Sequence, residues 1–146
     1  MRDAIGGSVT IVIIVVFIVF ALGYMAFNVN YTKAFRMKDK IISVYDDYNG
    51  VCGTDCEKEI TEYARKIGYT SGTGTGGVMN CYNNGPTAKL NLYCEKKVEK
   101  INNYDGSTKW YYDISTKINI EIPAFKNILN FKMFYVFGTT QTYSNK

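Results

Sequence analysis

Four cysteines, Cys52, Cys56, Cys81 and Cys94, are the residues best equipped for chemistry in a 146-residue chain that contains no histidine. Without histidine the commonest general base and the commonest metal ligand are both missing. Cys52-Gly-Thr-Asp-Cys56 is a C-x3-C string, not the C-x2-C of thiol redox motifs, and no βαβ pattern surrounds it. Followed by a C-x12-C spacing, it does not make a zinc-knuckle pair either. Structural disulfides in an oxidising compartment are the favoured reading of an even cysteine count in a small domain. One zinc held by all four, or free thiols, are the alternatives. Of the three possible connectivities, spacing favours Cys52–Cys56, which brackets a helix start, and Cys81–Cys94, which flanks the turn Asn83–Pro86 and faces across a hairpin.

Other chemistry is thin. Glu57, Glu59 and Glu62 are expected on the solvated side of a short helix, and no Ser or Cys nucleophile has a histidine to activate it. Tyr69 to Gly77 reads Y-T-S-G-T-G-T-G-G. A phosphate loop would need a preceding strand and a following G-K-[ST]; neither is present, so a flexible surface loop is expected. Tyr104, Trp110, Tyr111 and Tyr112 crowd one region, where cross-strand packing is preferred over an interaction patch. The reading is non-enzymatic, with no cofactor, no metal and no small-molecule substrate.

The elements that position these residues begin with Val9 to Phe27, an uncharged and almost wholly apolar run. At about 1.5 Å per residue it is long enough for a bilayer core of about 30 Å. A cleaved signal peptide is the alternative, but the run exceeds the usual h-region and no clear small-x-small site follows. Four segments result: a tail at 1–8, a transmembrane helix at 9–27, an amphipathic extension at 28–49, and a cysteine-containing domain at 50–146. Charge is nearly balanced before residue 49, with Arg2, Lys33, Arg36, Lys38 and Lys40 against Asp3, Asp39, Asp46 and Asp47. The remaining surplus of basic residues is small and scattered, which argues against nucleic acid as a partner. Lysine and arginine counts beside the span favour the domain inside. The paired cysteines and the Tyr/Asn/Thr/Gly-rich composition favour it outside, and long domains translocate with little regard to charge. We therefore expect a single-pass protein of the cell membrane with an extracytoplasmic domain.

Beyond the span, Phe35, Ile41/Ile42, Val44/Tyr45 and Tyr48 recur at helical spacing, opposite Lys33, Arg36, Lys40, Ser43 and Asp47, with Lys38 inside the apolar arc. One rod of about 40 residues is expected, roughly 60 Å long, ending at Asn49-Gly50. A second helix is expected from Asp55 to Ile67, with Thr54 and Glu57 as a capping box and Gly68 as the stop. Strands are expected at Val78–Tyr82, Ala88–Ile101 and Phe131–Phe137. The clearest alternation runs from Trp110 through Tyr112, Ile114, Thr116, Ile118 and Ile120 to Ile122, closed by Pro123. Asn102–Ser107 reads as a turn, and Thr139 to Lys146 as a polar tail. The order implies an α+β fold: a long helix laid on an antiparallel sheet, with Trp110, Tyr112, Ile114, Ile118 and Ile120 against Phe35, Ile42 and Tyr45.

The short tail, the Gly-Gly-Ser stretch, the apolar helix and its amphipathic extension resemble type IV pilin-like proteins. The string Gly7-Ser8-Val9-Thr10-Ile11 is similar to the start of TadE-like pseudopilins of tight-adherence pilus systems. Asn30 to Arg36, and the ending from Ile120-Glu121-Ile122-Pro123 to Phe137-Gly138-Thr139-Thr140, are also similar to Gram-positive proteins of that kind. The resemblance implies a pilin-like fold, prepilin-peptidase processing at Gly6, Gly7 or Ser8, and other pilin-like subunits and the pilus assembly machinery as partners beside the lipid bilayer. In that family a Glu follows the processing site inside the helix; Val12 stands at the aligned position. The resemblance therefore implies a minor or tip subunit, or an unprocessed accessory protein, at the cell surface or in an extracellular filament. Gly23 and Ala26 are small positions where neighbouring helices can approach; ordinary membrane-helix composition explains them equally well. A surface adhesin or receptor that does not polymerise is the rival reading.

Overall fold

The computed structural model describes residues 2–71, 79, 81–82, 86–101, 107–119 and 134–144. Helix α1 runs without a break over Arg2–Asp47, 46 residues, about 69 Å at about 1.5 Å per residue. No proline interrupts it, so the backbone ladder continues from the apolar run into the amphipathic one. It stops where expected: Asn49 and Gly50 take positive φ values of 52° and 76°, and the Gly50 N–H donates back to the Tyr45 carbonyl at 2.8 Å.

Helix α2 spans Thr54–Ile67 and begins one residue before its expected start. The expected capping box does not form. Gly53 is the N-cap, without a side-chain cap bond, and the Glu57 carboxylate lies 3.8 Å from the Lys89 ammonium instead. Asp55 and Glu57 still place negative charge in the first turn, where the helix dipole favours it. At the other end Gly68 is left-handed, its N–H bonds Arg65 O at 3.1 Å, and the Tyr69 N–H bonds Ala64 O at 2.9 Å. That is a Schellman cap, closed by apolar contact between Tyr69 and the helix.

Among the described residues five strands follow: β1 Thr87–Lys89, β2 Tyr93–Ile101, β3 Thr108–Ile118, β4 Phe134–Thr139 and β5 Tyr143–Ser144. All pairings are antiparallel, in the order β1-β2-β3-β4, and β5 pairs with β3 beyond the end of β4. Tyr93 faces Thr116, and Ser115 faces Phe137. The single strand expected over Ala88–Ile101 is two strands. Leu90 and Asn91 both have positive φ, 55° and 54°, and Leu92 N–H bonds Lys89 O at 3.0 Å. This is the hairpin turn of the type that matches strand twist. Asn tolerates it well and Leu does not, which hid the turn from an apolar alternation count.

No strand forms at Met79, Cys81 or Tyr82. The Met79 N–H is held by the Asn91 side chain at 3.3 Å, and Cys81 by its sulfur. The turns expected at Asn83–Pro86 and Asn102–Ser107, most of the glycine-rich stretch, Ile120, Ile122, Pro123 and the start of the Phe131–Phe137 strand lie largely or wholly outside the described residues.

The helix lies on the sheet, as the alternation of β3 demands. Ile114, Thr116 and Ile118 are buried on one face, under Ala34, Met37, Ile41, Val44 and Tyr45 of α1. Ile41, Val44 and Tyr45 of the expected helix stripe are in the core, and its ends are corrected. Phe35 and Tyr48 are exposed at 41% and 39%, and Ile42 only packs beside the core. The reason is Ala34: its small side chain lets β3 come close enough for the Thr116 hydroxyl to reach the Ala34 carbonyl at 2.8 Å. Lys38 lies inside the arc at 9% exposure, its ammonium 4.0 Å from the Phe35 ring centre and 2.8 Å from Asp39 Oδ1. Trp110 and Tyr112 are half-buried, and the ring of Tyr143, from the supposed polar tail, packs at 6.2 and 6.4 Å from them.

Candidate functional site

Among the described residues, the apolar half of α1 carries the longest run of exposed large apolar side chains. From Val9 to Met25 its large side chains stand mostly more than half exposed, among them Phe17 at 71% and Phe20 at 72%. The best 18-residue window, within Gly7–Asp47, has mean hydropathy 2.9 and none of it is buried by the rest of the chain. Exposure on this scale is unfavourable in water, at about 25 cal/mol for each square ångström of apolar area. In hydrocarbon the same surface is at no disadvantage, and a helix satisfies its own backbone there. One apolar helix of this length is compatible with a single membrane span.

Gly6, Gly7 and Ser8 all lie within α1, and a side chain added at Gly7 would meet no atom within 4 Å. Gly23 and Ala26 are partly exposed on the same helix. Where the apolar run ends, Phe27, Tyr31 and Phe35 form a column of rings at 6.3 and 6.2 Å, one helical turn apart. Of these rings Tyr31 has a polar edge, and such a ring favours the level of lipid headgroups.

Past that level α1 becomes the core helix of the sheet domain, and three sets of bonds make the junction stiff. Lys33 Nζ donates to the Gly68 carbonyl at 3.1 Å, and Lys40 bonds Glu59 at 2.6 Å, so both basic residues tie α1 to α2. Glu57 and Glu59 are therefore partly covered and paired, not free on a solvated face. The Tyr69 hydroxyl lies 2.9 Å from the Lys117 carbonyl and accepts the Lys117 N–H at 3.1 Å. Tyr45 is the third tie. Its hydroxyl donates to Glu95 Oε2 and lies 3.0 Å from the hydroxyl of Tyr93. Burial above all, then the neighbouring Tyr93 and Glu95, push Tyr45 well above the ordinary tyrosine range. Burial does the same to Tyr69, Tyr93 and Tyr143. These phenols are protonated hydrogen-bonding groups of the interior.

The cysteines are joined as Cys52–Cys56 and Cys81–Cys94, with Cα separations of 5.2 and 5.8 Å. Among the described residues none is free, and no group of three or more potential metal ligands assembles. The second bridge does not cross a hairpin ladder as expected. Cys94 faces Ala88 on β1 and Ser115 on β3, while Cys81 reaches it from the segment laid over the sheet. The sheet face opposite α1 is thereby partly covered. Tyr82, carried by that segment, sits with Phe137 and Tyr135 at ring distances of 6.0 Å. Sequence reasoning missed this second aromatic site, because Tyr82 and Phe137 are 55 positions apart and meet where the Cys81–Cys94 bridge ties the segment to the sheet. Comparison with protein-family models, curated proteins and solved structures yields no match.

Proposed function

We propose that this chain is a non-enzymatic pilin-like or pseudopilin subunit, minor or accessory, that is anchored by its apolar helix and contributes to a surface pilus. The observation that carries the reading is the continuity of α1. One unbroken helix is bare and apolar over its first half and is the core of an α+β domain over its second. An apolar rod is stable in lipid and equally stable bundled with like rods away from water, so transfer between the two environments carries a small net cost. A rod rigidly joined to its domain carries that domain with it into a bundle. In this reading the domain is extracytoplasmic, which suits two disulfides, and the TadE-like string from Gly7 to Ile11 marks the processing region.

An anchor needs only hydrophobicity, whereas a subunit needs its small residues in register with neighbours. Gly23→Leu and Ala26→Leu are expected to preserve membrane insertion and to reduce the amount of the chain in sheared extracellular filaments relative to membranes. A wild-type chain that never enters the sheared fraction of piliated cells overturns the filament reading. The second reading, a membrane-tethered binding domain that does not polymerise, then takes its place. It is favoured by the exposed rings of Tyr82 and Phe137 on the sheet face turned away from α1.

A further inference from the structure

The outer face of the sheet holds a groove of about 530 Å³ bounded by the segment that the Cys81–Cys94 bridge lays over it. That size falls within the roughly 300–1,000 Å³ of small-ligand sites. Its rim is aromatic: the rings of Tyr82 and Phe137 are 56% and 59% exposed and stand 6.0 Å apart at 73°. Its wall is charged. Lys96 and Asp113 are direct cross-strand partners on β2 and β3 and both line the groove. Among the described residues neither side chain makes an ion pair or a hydrogen bond. Its floor is Ser115, which faces Phe137 across the ladder. This residue is 5% exposed, yet its hydroxyl has no partner among the described residues and opens into the groove.

Ligand class follows from what these groups demand. A carboxylate only accepts hydrogen bonds, an ammonium only donates them, and a serine hydroxyl does both. An apolar ligand would leave all three unsatisfied at the cost of their desolvation. Over the floor of the groove an extended peptide finds no backbone to pair with, because β3 is already bonded on both sides, to β2 and to β4. An anion would meet Asp113 as well as Lys96. A neutral ring with adjacent hydroxyls satisfies every group at once: each hydroxyl donates to one neighbour and accepts from another. The C–H face of such a ring is apolar and weakly positive, which suits the electron-rich faces of Tyr82 and Phe137.

We propose that this groove binds a pyranose unit of a neutral saccharide. The ring's C–H face lies on Phe137 with Tyr82 at its edge, adjacent hydroxyls bridge Asp113 and Lys96, and Ser115 closes the floor. The site is on the sheet face away from α1, so it is compatible with a filament subunit and with a lone tethered domain, and it does not rest on the pilus reading.

The test is saturation-transfer difference NMR on the full chain in detergent micelles, with cellotriose, maltotriose, chitotriose and mannotriose as probes. At least one trisaccharide is expected to receive saturation, strongest at its ring C–H protons. Phe137→Ala and Asp113→Asn are each expected to weaken that binding about tenfold or more, the loss of one contact of about 1.4 kcal/mol. Asp113→Asn is isosteric, and unchanged far-UV circular dichroism separates lost binding from lost folding. Lys58→Ala, on the exposed side of α2, is expected to bind as wild type. Absence of transfer to all four probes overturns the proposal. So does binding that both groove variants leave intact, or a preference for the zwitterion phenylalanine over every saccharide.

Discussion

The hydroxyl of Thr116 donates to the carbonyl oxygen of Ala34 at 2.8 Å, across 82 positions of sequence and inside the core. Both residues are fully buried. The bond sets how closely β3 approaches α1, and it satisfies the one polar side chain that interrupts the apolar face between Ile114 and Ile118.

Thr116→Val keeps the shape and removes the donor, so a loss of about 1 kcal/mol is expected. Ala34→Leu forces the helix away from the strand and is expected to cost about 1–3 kcal/mol. Ile118→Asp buries a carboxylate without a partner and is expected to unfold the domain, whereas Lys117→Asp on the opposite face is expected to be tolerated. Thermal unfolding of the full chain in micelles reads all four. Equal tolerance of the Ile118 and Lys117 changes would show that the buried face is assigned wrongly.

A second prediction concerns the latch at the end of α1. Asp46 Oδ1 accepts the Tyr143 hydroxyl at 2.5 Å and the Gln141 N–H at 3.1 Å. Gly50, at φ +76°, lies under the Tyr143 ring, where an added Cβ would come within 2.6 Å of it. Gly50→Ala combines that clash with about 1–2 kcal/mol of left-handed backbone cost. Tyr143→Phe removes only a bond to a charged acceptor, worth about 1.5–3 kcal/mol. Hydrogen exchange should show both changes loosening β5 before the β2–β3 ladder. Uniform loosening of the whole sheet would contradict a local latch.

Stability is expected to be flat through neutral pH and to fall in alkali. Tyr45, Tyr69, Tyr93 and Tyr143 are all raised in the folded chain, chiefly by burial. Below the unfolded value of about 10 both states hold the phenolic proton, and no stability changes with pH. Above it the unfolded chain releases the proton while the folded chain keeps it, so the unfolded state binds fewer protons and stability declines. Denaturant midpoints from pH 7 to 11.5 measure this. Tyr93→Phe, which removes one of these phenols, is expected to shallow the alkaline slope; an unchanged slope would assign the decline to other groups.

Reduction is expected to act mainly through one bridge. Cys81–Cys94 closes a loop with sequence separation 13 and Cys52–Cys56 one with separation 4. By loop-closure entropy the first stabilises by about 3 kcal/mol and the second by about 2. The first also holds Tyr82 over the sheet. Removing Cys81 and Cys94 together should therefore lower the thermal midpoint more than removing Cys52 and Cys56. It should also release the Tyr82 ring, seen as loss of its contacts to Phe137 by NMR. The reverse order would show that the short bridge carries α2.

The sequence by itself determined the elements whose signals are local. An uncharged run from Val9 to Phe27 without proline is too long for a strand and reads as a helix by its length. Strict alternation from Trp110 to Ile118 makes a strand with one covered face. Gly68 and Asn49-Gly50 end helices because their left-handed backbones cost them little. Only the tertiary structure decided which side of α1 meets the sheet. Phe35 and Ala34 are adjacent on the helix, and the smaller residue faced inward because β3 needed room to reach the backbone. It also turned Leu90-Asn91 into a hairpin, since a ladder already formed by β2 and β3 outweighs the cost of one strained leucine. Tyr143 packs onto Trp110, and Tyr82 meets Phe137, for the same reason. Such contacts depend on chain ends and cysteines brought together from far positions, and no spacing along the sequence records that distance.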